Sequence, residues 1–402
     1  MDFNNLANEF GTPLYVYDFD AIEKNYNALK NSFNARKSLV CFAIKANSNL
    51  SVLKHLANLG SGFDCVSIGE VKRAIAAGAN SYKIVFSGVG KQDFELKEAL
   101  EKDILMINLE SYAEMLRLES VAKDLGKQAR ISIRVNPNVD AKTHPYISTG
   151  LNENKFGVSI DEAKKMYIYA KNSEFLNPVG IHFHIGSQLT DIGPIIEASG
   201  IVSKLLRELI ALGVEIKFFD IGGGIGIKYQ SEEEINLYDY AQGILSNLSG
   251  LDVTIVCEPG RFLVGNAGIF LTKVLYEKRN NEKRFVVVDG AMNDLIRPSL
   301  YGAYHEISVA NVVNSASQTS PCDIVGPICE SGDFLAKGVN LPNLSSGDLL
   351  LVKSAGAYGF SMSSNYNSRG RAAEVAVQGG KARLIRKRES FEDLIALEKE
   401  YL

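Results

Sequence analysis

The run Ser-Leu-Val-Cys-Phe-Ala-Ile-Lys-Ala-Asn, residues 38–47, is an apolar, β-branched segment that ends on a single cation, Lys45. The segment from Ser51 to Leu59 then carries apolar residues at i, i+3 and i+4, the period of a helix with one buried face. A second short apolar run opens at Gly62. A doubly buried strand, a helix and another such strand form the repeating unit of a parallel sheet covered by helices.

Counting outward from residue 38, eight runs have this character: Leu39 to Ile44, Gly62 to Val66, Lys83 to Phe86, Ile104 to Asn108, Arg130 to Val135, Val179 to Ile185, Lys217 to Ile221 and Val253 to Cys257. Helical periodicity fills the gaps at Ile68 to Ala77, Ser111 to Leu125, Asp161 to Ala170, Pro194 to Leu212 and Glu233 to Leu248. Eight β-then-α units predict an α/β TIM barrel. A doubly wound open sheet has the same alternation, because periodicity does not show closure.

After Arg261 the grammar changes. Gly268 to Tyr276, Arg284 to Asp289, Leu349 to Lys353, Ala372 to Val377 and Ala382 to Lys387 follow one another through Gly, Asn and Ser turns with little helix between. That pattern predicts a mainly antiparallel β-barrel or sandwich. Pro13 to Asp18 is also strand-like and is expected to join it. The expected organisation is a barrel over 20–265 and a discontinuous β domain over 1–19 and 266–402.

With 402 residues, 46% hydrophobic and 22% charged, the chain can bury one large core or two. Its net charge of -4, both signs interspersed, offers no basic stripe for nucleic acid and no polybasic tail for a membrane. Small molecules and copies of itself are the expected partners. The first ten residues have no cationic and apolar leader pattern, and no apolar run is long enough to span a bilayer, so the expectation is a cytoplasmic protein. The five cysteines, Cys41, Cys65, Cys257, Cys322 and Cys329, are odd in number and lack C-x-x-C spacing; they read as reduced thiols.

TIM-barrel chemistry collects at the C-terminal ends of the strands. In order these ends carry Lys45, Asp64, Ser87, Asn108, Arg134, His184 with Ser187, Gly222-Gly223-Gly224, and Glu258-Pro-Gly260-Arg261. A lysine at such an end either snorkels to water or, held partly desolvated, attacks a carbonyl. The triple glycine is either a tight strand-to-helix turn or a nest whose amides point together at an anion. Its place after strand seven, with Gly260 and Arg261 after strand eight, favours a phosphate, while Ile227 stands where the third glycine of a dinucleotide fingerprint belongs.

His182 and His184 alternate on one predicted strand and so share a face. A metal pair is disfavoured, since no third ligand has suitable spacing. An imidazole stacked on a flat ring and a satisfied core histidine both remain open. Glu258 either pairs with Arg261 or holds the proton of a pyridine nitrogen. A lysine for an aldehyde, a carboxylate for a pyridine nitrogen and a phosphate nest together describe pyridoxal 5'-phosphate.

The motifs Phe42-Ala-Ile-Lys-Ala-Asn47, Phe63-Asp-Cys-Val-Ser67 with Glu70, Arg134-Val-Asn-Pro137, Lys155-Phe-Gly157, His182-Phe-His-Ile-Gly-Ser187, Gly222 to Gly224, Glu258-Pro-Gly-Arg261, Arg297-Pro-Ser-Leu-Tyr301, Cys329-Glu-Ser-Gly-Asp333 and Gly356-Ala-Tyr358 lie between about Pro13 and Arg383. Through them the chain closely resembles the fold-type III pyridoxal-phosphate-dependent decarboxylases. The resemblance implies a cofactor-loaded barrel with a β domain, and a homodimer whose active sites draw residues from both subunits.

Under that resemblance Lys45 looks like the lysine that joins the cofactor's aldehyde, His184 like the ring-stacking imidazole and Glu258 like the partner of the ring nitrogen. Asp64, Ser187, Gly222, Gly223, Gly224, Gly260, Arg261 and Tyr358 resemble the rest of the cofactor shell. Arg261, Arg297, Tyr301 and Tyr358 resemble substrate contacts, with Glu330 reading a distal ammonium. Cys329 resembles the proton donor to the α-carbon, reaching in with Glu330 from the partner subunit. Arg297 and Arg261 favour a substrate with a distal carboxylate over the distal cation of ornithine or arginine, because a guanidinium grips a carboxylate bidentately. A carboxynorspermidine decarboxylase, a racemase of the same architecture and a non-catalytic regulator are the competing expectations. Racemases of this fold place an arginine near the ring nitrogen where this chain has Glu258, and a regulator is expected to lose Lys45 or Cys329.

Overall fold

The computed structural model describes residues 1–140, 155–310 and 318–402. They form two compact units, one of Glu23–Ile227 with Glu233–Leu263, the other of Met1–Ile22, Lys228–Glu232 and Val264–Leu402. β1 (Leu14–Asp18) belongs to the second of these.

The first unit is a closed barrel of eight parallel strands, β2 (Ser38–Ala43), β3 (Gly62–Cys65), β4 (Ile84–Phe86), β5 (Met106–Leu109), β6 (Ala129–Arg134), β7 (Leu176–His182), β8 (Phe218–Asp220) and β9 (Thr254–Cys257). Closure, which periodicity left undecided, comes from β2 pairing with β9, Ser38 opposite Ile255 and Val40 opposite Cys257. Cys41, Val85, Leu105, Met106, Val179 and Val256 pack into one buried cluster, so the barrel has a filled core. Helices start soon after the strand ends because polar caps are placed there. Asn49 accepts from Ser51 N (2.9 Å), Ser67 from Glu70 N (3.2 Å) and Ser111 from Glu114 N (3.1 Å).

Among the barrel strands the largest departure from the predicted boundaries is β7, expected at Val179 to Ile185 and found three residues earlier. Pro178 lacks an N–H and reads as a strand breaker, yet it lies opposite Ile131 beside a register shift that absorbs the missing bond. The strand therefore ends at His182, and His184 stands in the following loop.

The second unit is one nine-stranded sheet. With β1 it contains β10 (Gly268–Asn280), β11 (Lys283–Val288), β12 (Ile307–Val309), β13 (Ser320–Val325), β14 (Phe334–Leu341), β15 (Leu349–Val352), β16 (Ala373–Gln378) and β17 (Lys381–Arg386). The order is β14-β13-β11-β10-β1-β16-β17, with β15 pairing both β10 and β12. Most pairs are antiparallel; β1 with β16 and β11 with β13 are parallel. Leu14, Val16, Leu271, Leu351 and Val375 anchor its core. Strands β12 to β14 were not foreseen. Pro321 and Gly338 interrupt two of them, and half-polar strands near a sheet edge carry a weak alternation signal. All five cysteines are free, Cys329 alone being exposed. No helix among the described residues is long and apolar enough to cross a membrane.

Candidate functional site

At the end of β2 the backbone tightens into a 3-10 turn, Ile44–Ala46, which turns Lys45 out of the strand. Its Nζ lies 3.7 Å from Asp64 Oδ2. The lysine side chain is 43% exposed and the aspartate 2%, so the buried partner is the carboxylate, and the lysine side chain is only partly withdrawn from solvent. Burial and the charge of Glu258 push Asp64 up to about 6 against the pull of Lys45. Glu70, which accepts from Val66 N at 2.7 Å, is pushed up to about 7, mainly by burial.

Two amides of the triple glycine have side-chain partners. Gly222 N donates to Asp220 Oδ1 at 3.0 Å and Gly223 N to His184 Nδ1 at 3.3 Å. These two amides fix the carboxylate of Asp220 and the imidazole of His184. Gly222 and Gly224 have φ of 66° and 110°, and a Cβ on Gly223 would fall 2.1 Å from the Glu258 carbonyl oxygen. The glycines are required by left-handed backbone and by this close approach to the neighbouring loop.

His184 accepts at Nδ1, so its proton sits on Nε2. Burial, then Arg134 and Lys45, hold its pKa well below the usual imidazole range, leaving a neutral ring. Arg134 Nη1 bonds Glu110 Oε1 at 3.0 Å, and Glu110 Oε2 accepts from Gly157 N at 2.7 Å. Arg134 Nη2 also donates to the His184 carbonyl at 3.4 Å. Arg134 thus braces the loop that carries the imidazole. On the same loop Ser187 Oγ accepts from Arg261 Nη2 at 3.3 Å.

β7 ends at His182, so the strand alternation expected to relate His182 and His184 does not extend to His184, which stands in the following loop. His182 Nε2 lies 3.3 Å from Glu258 Oε2. The third group that sequence spacing did not reveal is Asp220: His182, Asp220 and Glu258 are all buried, with one ligand atom of each within 4.8 Å of the others. Such a donor set could hold a cation, and it is equally balanced by a proton. Burial and the Glu258 charge push Asp220 well above the carboxylate range. Burial alone would raise Glu258 too, but His182 and Lys45 bring it down to about 2. The proton rests on Asp220 and Glu258 is the anion. Among the described residues Glu258 Oε1 is buried without a hydrogen-bond partner, an arrangement that suits a donor supplied by a ligand, such as a protonated ring nitrogen. Asp220, two residues before Gly222, is the signal sequence reading passed over, since an aspartate there accepts the turn's first amide.

In the sheet unit, Arg297 is buried and opens the short helix Arg297–Tyr301, with Pro298 at its first turn. Tyr301 is half-buried at its end. Cys329 and Glu330 are exposed, and Cys329 N donates to Asn367 Oδ1 at 2.9 Å. Asp333 accepts from Met292 N and Ile328 N, both at 2.7 Å, tying the segment before Arg297 to the segment before Cys329. Tyr358 is half-buried with a left-handed φ of 57°.

Residues 19–265 match the pyridoxal binding domain of the pyridoxal-dependent decarboxylases. Over its full length the chain is 66% identical to the diaminopimelate decarboxylase of Campylobacter jejuni, across 403 aligned residues and all of that protein. The crystal structure of diaminopimelate decarboxylase from Helicobacter pylori complexed with L-lysine superposes with a TM-score of 0.96 at 57% identity, covering 100% of both chains. The corresponding M. jannaschii structure, in co-complex with L-lysine, gives 0.92 at 40% identity over 98% of this chain and 93% of that one.

Proposed function

The chain belongs to the pyridoxal-dependent decarboxylases, and we propose that it acts within that family on meso-2,6-diaminopimelate, releasing CO2 and L-lysine. The carrying observation is a full-length identity of 66% to a diaminopimelate decarboxylase, together with a barrel mouth in which Lys45, neutral His184 and anionic Glu258 are all set by tertiary contacts. Pyridoxal 5'-phosphate, when bound, supplies an electron sink for the pair left behind as CO2 departs.

Each residue then has a definite task. Lys45, placed beside Asp64, would be the amine that holds the cofactor through its aldehyde. His184, held neutral and in one tautomer by Gly223, would offer its imidazole face to the cofactor ring. Glu258 holds a proton on the ring nitrogen, a role that requires it to be the ionised member of its carboxylate pair. Ser187, Arg261, Gly260 and the Gly224 amide serve the phosphate, joined by Tyr358, while Gly222 and Gly223 act through Asp220 and His184. Arg297, Tyr301 and Arg261 hold the distal carboxylate, and Glu330 the distal ammonium. Cys329 returns a proton to the α-carbon.

The barrel serves the cofactor; the sheet unit contributes substrate and dimer contacts. The active form is a homodimer in which Cys329 and Glu330 complete the partner's site, and it works in the cytoplasm. The exposure of both side chains in the single chain supports that assembly. Purified holoenzyme is expected to release CO2 from meso-diaminopimelate and none from ornithine; the opposite preference overturns the substrate reading.

A further inference from the structure

Arg297 does not stand alone in the sheet unit. Its Nη1 lies 2.8 Å from Nε2 of His305, and both side chains are buried. His305 Nδ1 in turn lies 2.8 Å from the Lys353 carbonyl oxygen. Pairing of β12 with β15, Ile307 opposite Val352, brings these segments together.

The partners determine the state of the ring. A guanidinium only donates and a carbonyl only accepts, so the proton is on Nδ1 and the Nε2 lone pair faces Arg297. His305 in this contact is a neutral acceptor. A carboxylate in the same position would satisfy the guanidinium and also cancel its charge. The imidazole satisfies an N–H of Arg297 without itself contributing a counter-charge.

A second group does the same from another side. Arg297 Cζ lies 4.9 Å from the centre of the Tyr229 ring, and that ring meets His305 edge-on at 5.6 Å and 87°. Tyr229 is itself pinned by its turn, since Glu232 Oε2 accepts from Tyr229 N at 3.0 Å and from Gln230 N at 2.7 Å. An aromatic face attracts a cation without neutralising it.

We propose that His305 and Tyr229 are positioning residues for substrate selection: they fix the Arg297 guanidinium in one orientation, through uncharged contacts, for a ligand's distal carboxylate. The inference rests on the reading of Arg297 as the carboxylate-binding residue. A preorganised fork binds its anion without first losing side-chain freedom, so the two residues act on affinity for the carboxylate and not on the bond-breaking step.

The test uses the holoenzyme with His305→Leu, His305→Gln, Tyr229→Leu and Tyr229→Phe. His305→Leu is expected to raise KM for meso-diaminopimelate on the order of tenfold, with kcat within about twofold and the cofactor's visible absorbance unchanged. His305→Gln, whose amide oxygen can accept from Arg297, is expected to restore most of that loss. Tyr229→Phe keeps the aromatic face and is expected to match wild type, whereas Tyr229→Leu raises KM roughly threefold. Inhibition by L-lysine, which retains the distal carboxylate, weakens in His305→Leu; inhibition by cadaverine, which lacks it, does not. An unchanged KM in His305→Leu, equal behaviour of the Leu and Gln variants, or equal weakening of both inhibitors overturns the proposal. Should His305→Leu not fold, the Tyr229 pair decides it in the same way. Wild-type enzyme inactive on meso-diaminopimelate would instead overturn the functional reading beneath it.

Discussion

His182 Nε2 stands 3.3 Å from Glu258 Oε2, with both side chains almost wholly buried. The imidazole belongs to the last residue of β7 and the carboxylate follows β9, so β8 and its terminal Asp220 lie between them in the barrel. Three strand ends thus converge on a carboxylate that burial would otherwise protonate.

Glu258→Gln keeps the shape and loses the anion. Without a carboxylate at the ring nitrogen the electron sink weakens, and kcat is expected to fall on the order of 100-fold, the scale of removing one preorganised electrostatic partner. KM should move much less. His182→Phe, which withdraws a neighbour that holds Glu258 low, is expected to give a smaller fall. Steady-state kinetics on cofactor-saturated protein decide the matter, and a Gln variant as fast as wild type refutes the role.

Lys45→Ala removes the amine beside Asp64. The variant is expected to lose the visible absorbance band of the cofactor-linked lysine and all turnover, while keeping its thermal transition within a few degrees. Persistence of the band would move the linkage to another lysine.

Asp294 carries the clearest pH signature of stability. Burial pushes its carboxyl up to about 7, although its Oδ2 accepts from Ala291 N at 3.0 Å. Between about pH 4 and pH 7 the folded chain keeps a proton that the unfolded chain has already released, so this group draws stability down as pH rises through that window. The loss above pH 7 is on the order of a few kcal/mol. Asp294→Asn retains an acceptor for Ala291 and cannot ionise. Its thermal midpoint is expected to exceed that of wild type at pH 8 and to match it at pH 4; a constant difference at both would contradict the assignment.

The proposed completion of each site across a dimer is tested by mixing subunits. Lys45→Ala and Cys329→Ala are each expected to be inactive alone. Mixed and allowed to exchange, they should form hybrid dimers with one intact site and recover up to about a quarter of wild-type activity by random pairing. Demonstrated exchange without recovery argues against shared sites.

The βα grammar of residues 38–257 was legible because its signals are local: a doubly buried strand is written as a continuous apolar run, and a covering helix as a 3.6-residue period. The strand ends were legible for the same reason, and they placed Lys45, Asp64, His184 and Glu258 at one mouth before any geometry was known. Closure of the barrel was not, since it depends on β2 meeting β9 more than two hundred residues away. Strands β12 to β14 were hidden by a proline, a glycine and an edge position that leaves their pattern half polar.

Side-chain partnerships separate the two kinds of knowledge most clearly. Composition, periodicity and motif spacing were enough for the βα alternation and the cofactor class, because each is encoded within a few neighbouring positions. Which carboxylate keeps the proton, which glycine amides remain for an anion, and what holds Arg297 ready are decided by contacts between distant segments. Asp220 meets Glu258, Gly223 meets His184 and Tyr229 meets Arg297 only after the chain has folded. A proton's position and a guanidinium's orientation depend on distances of a few ångströms, which spacing along a chain does not encode.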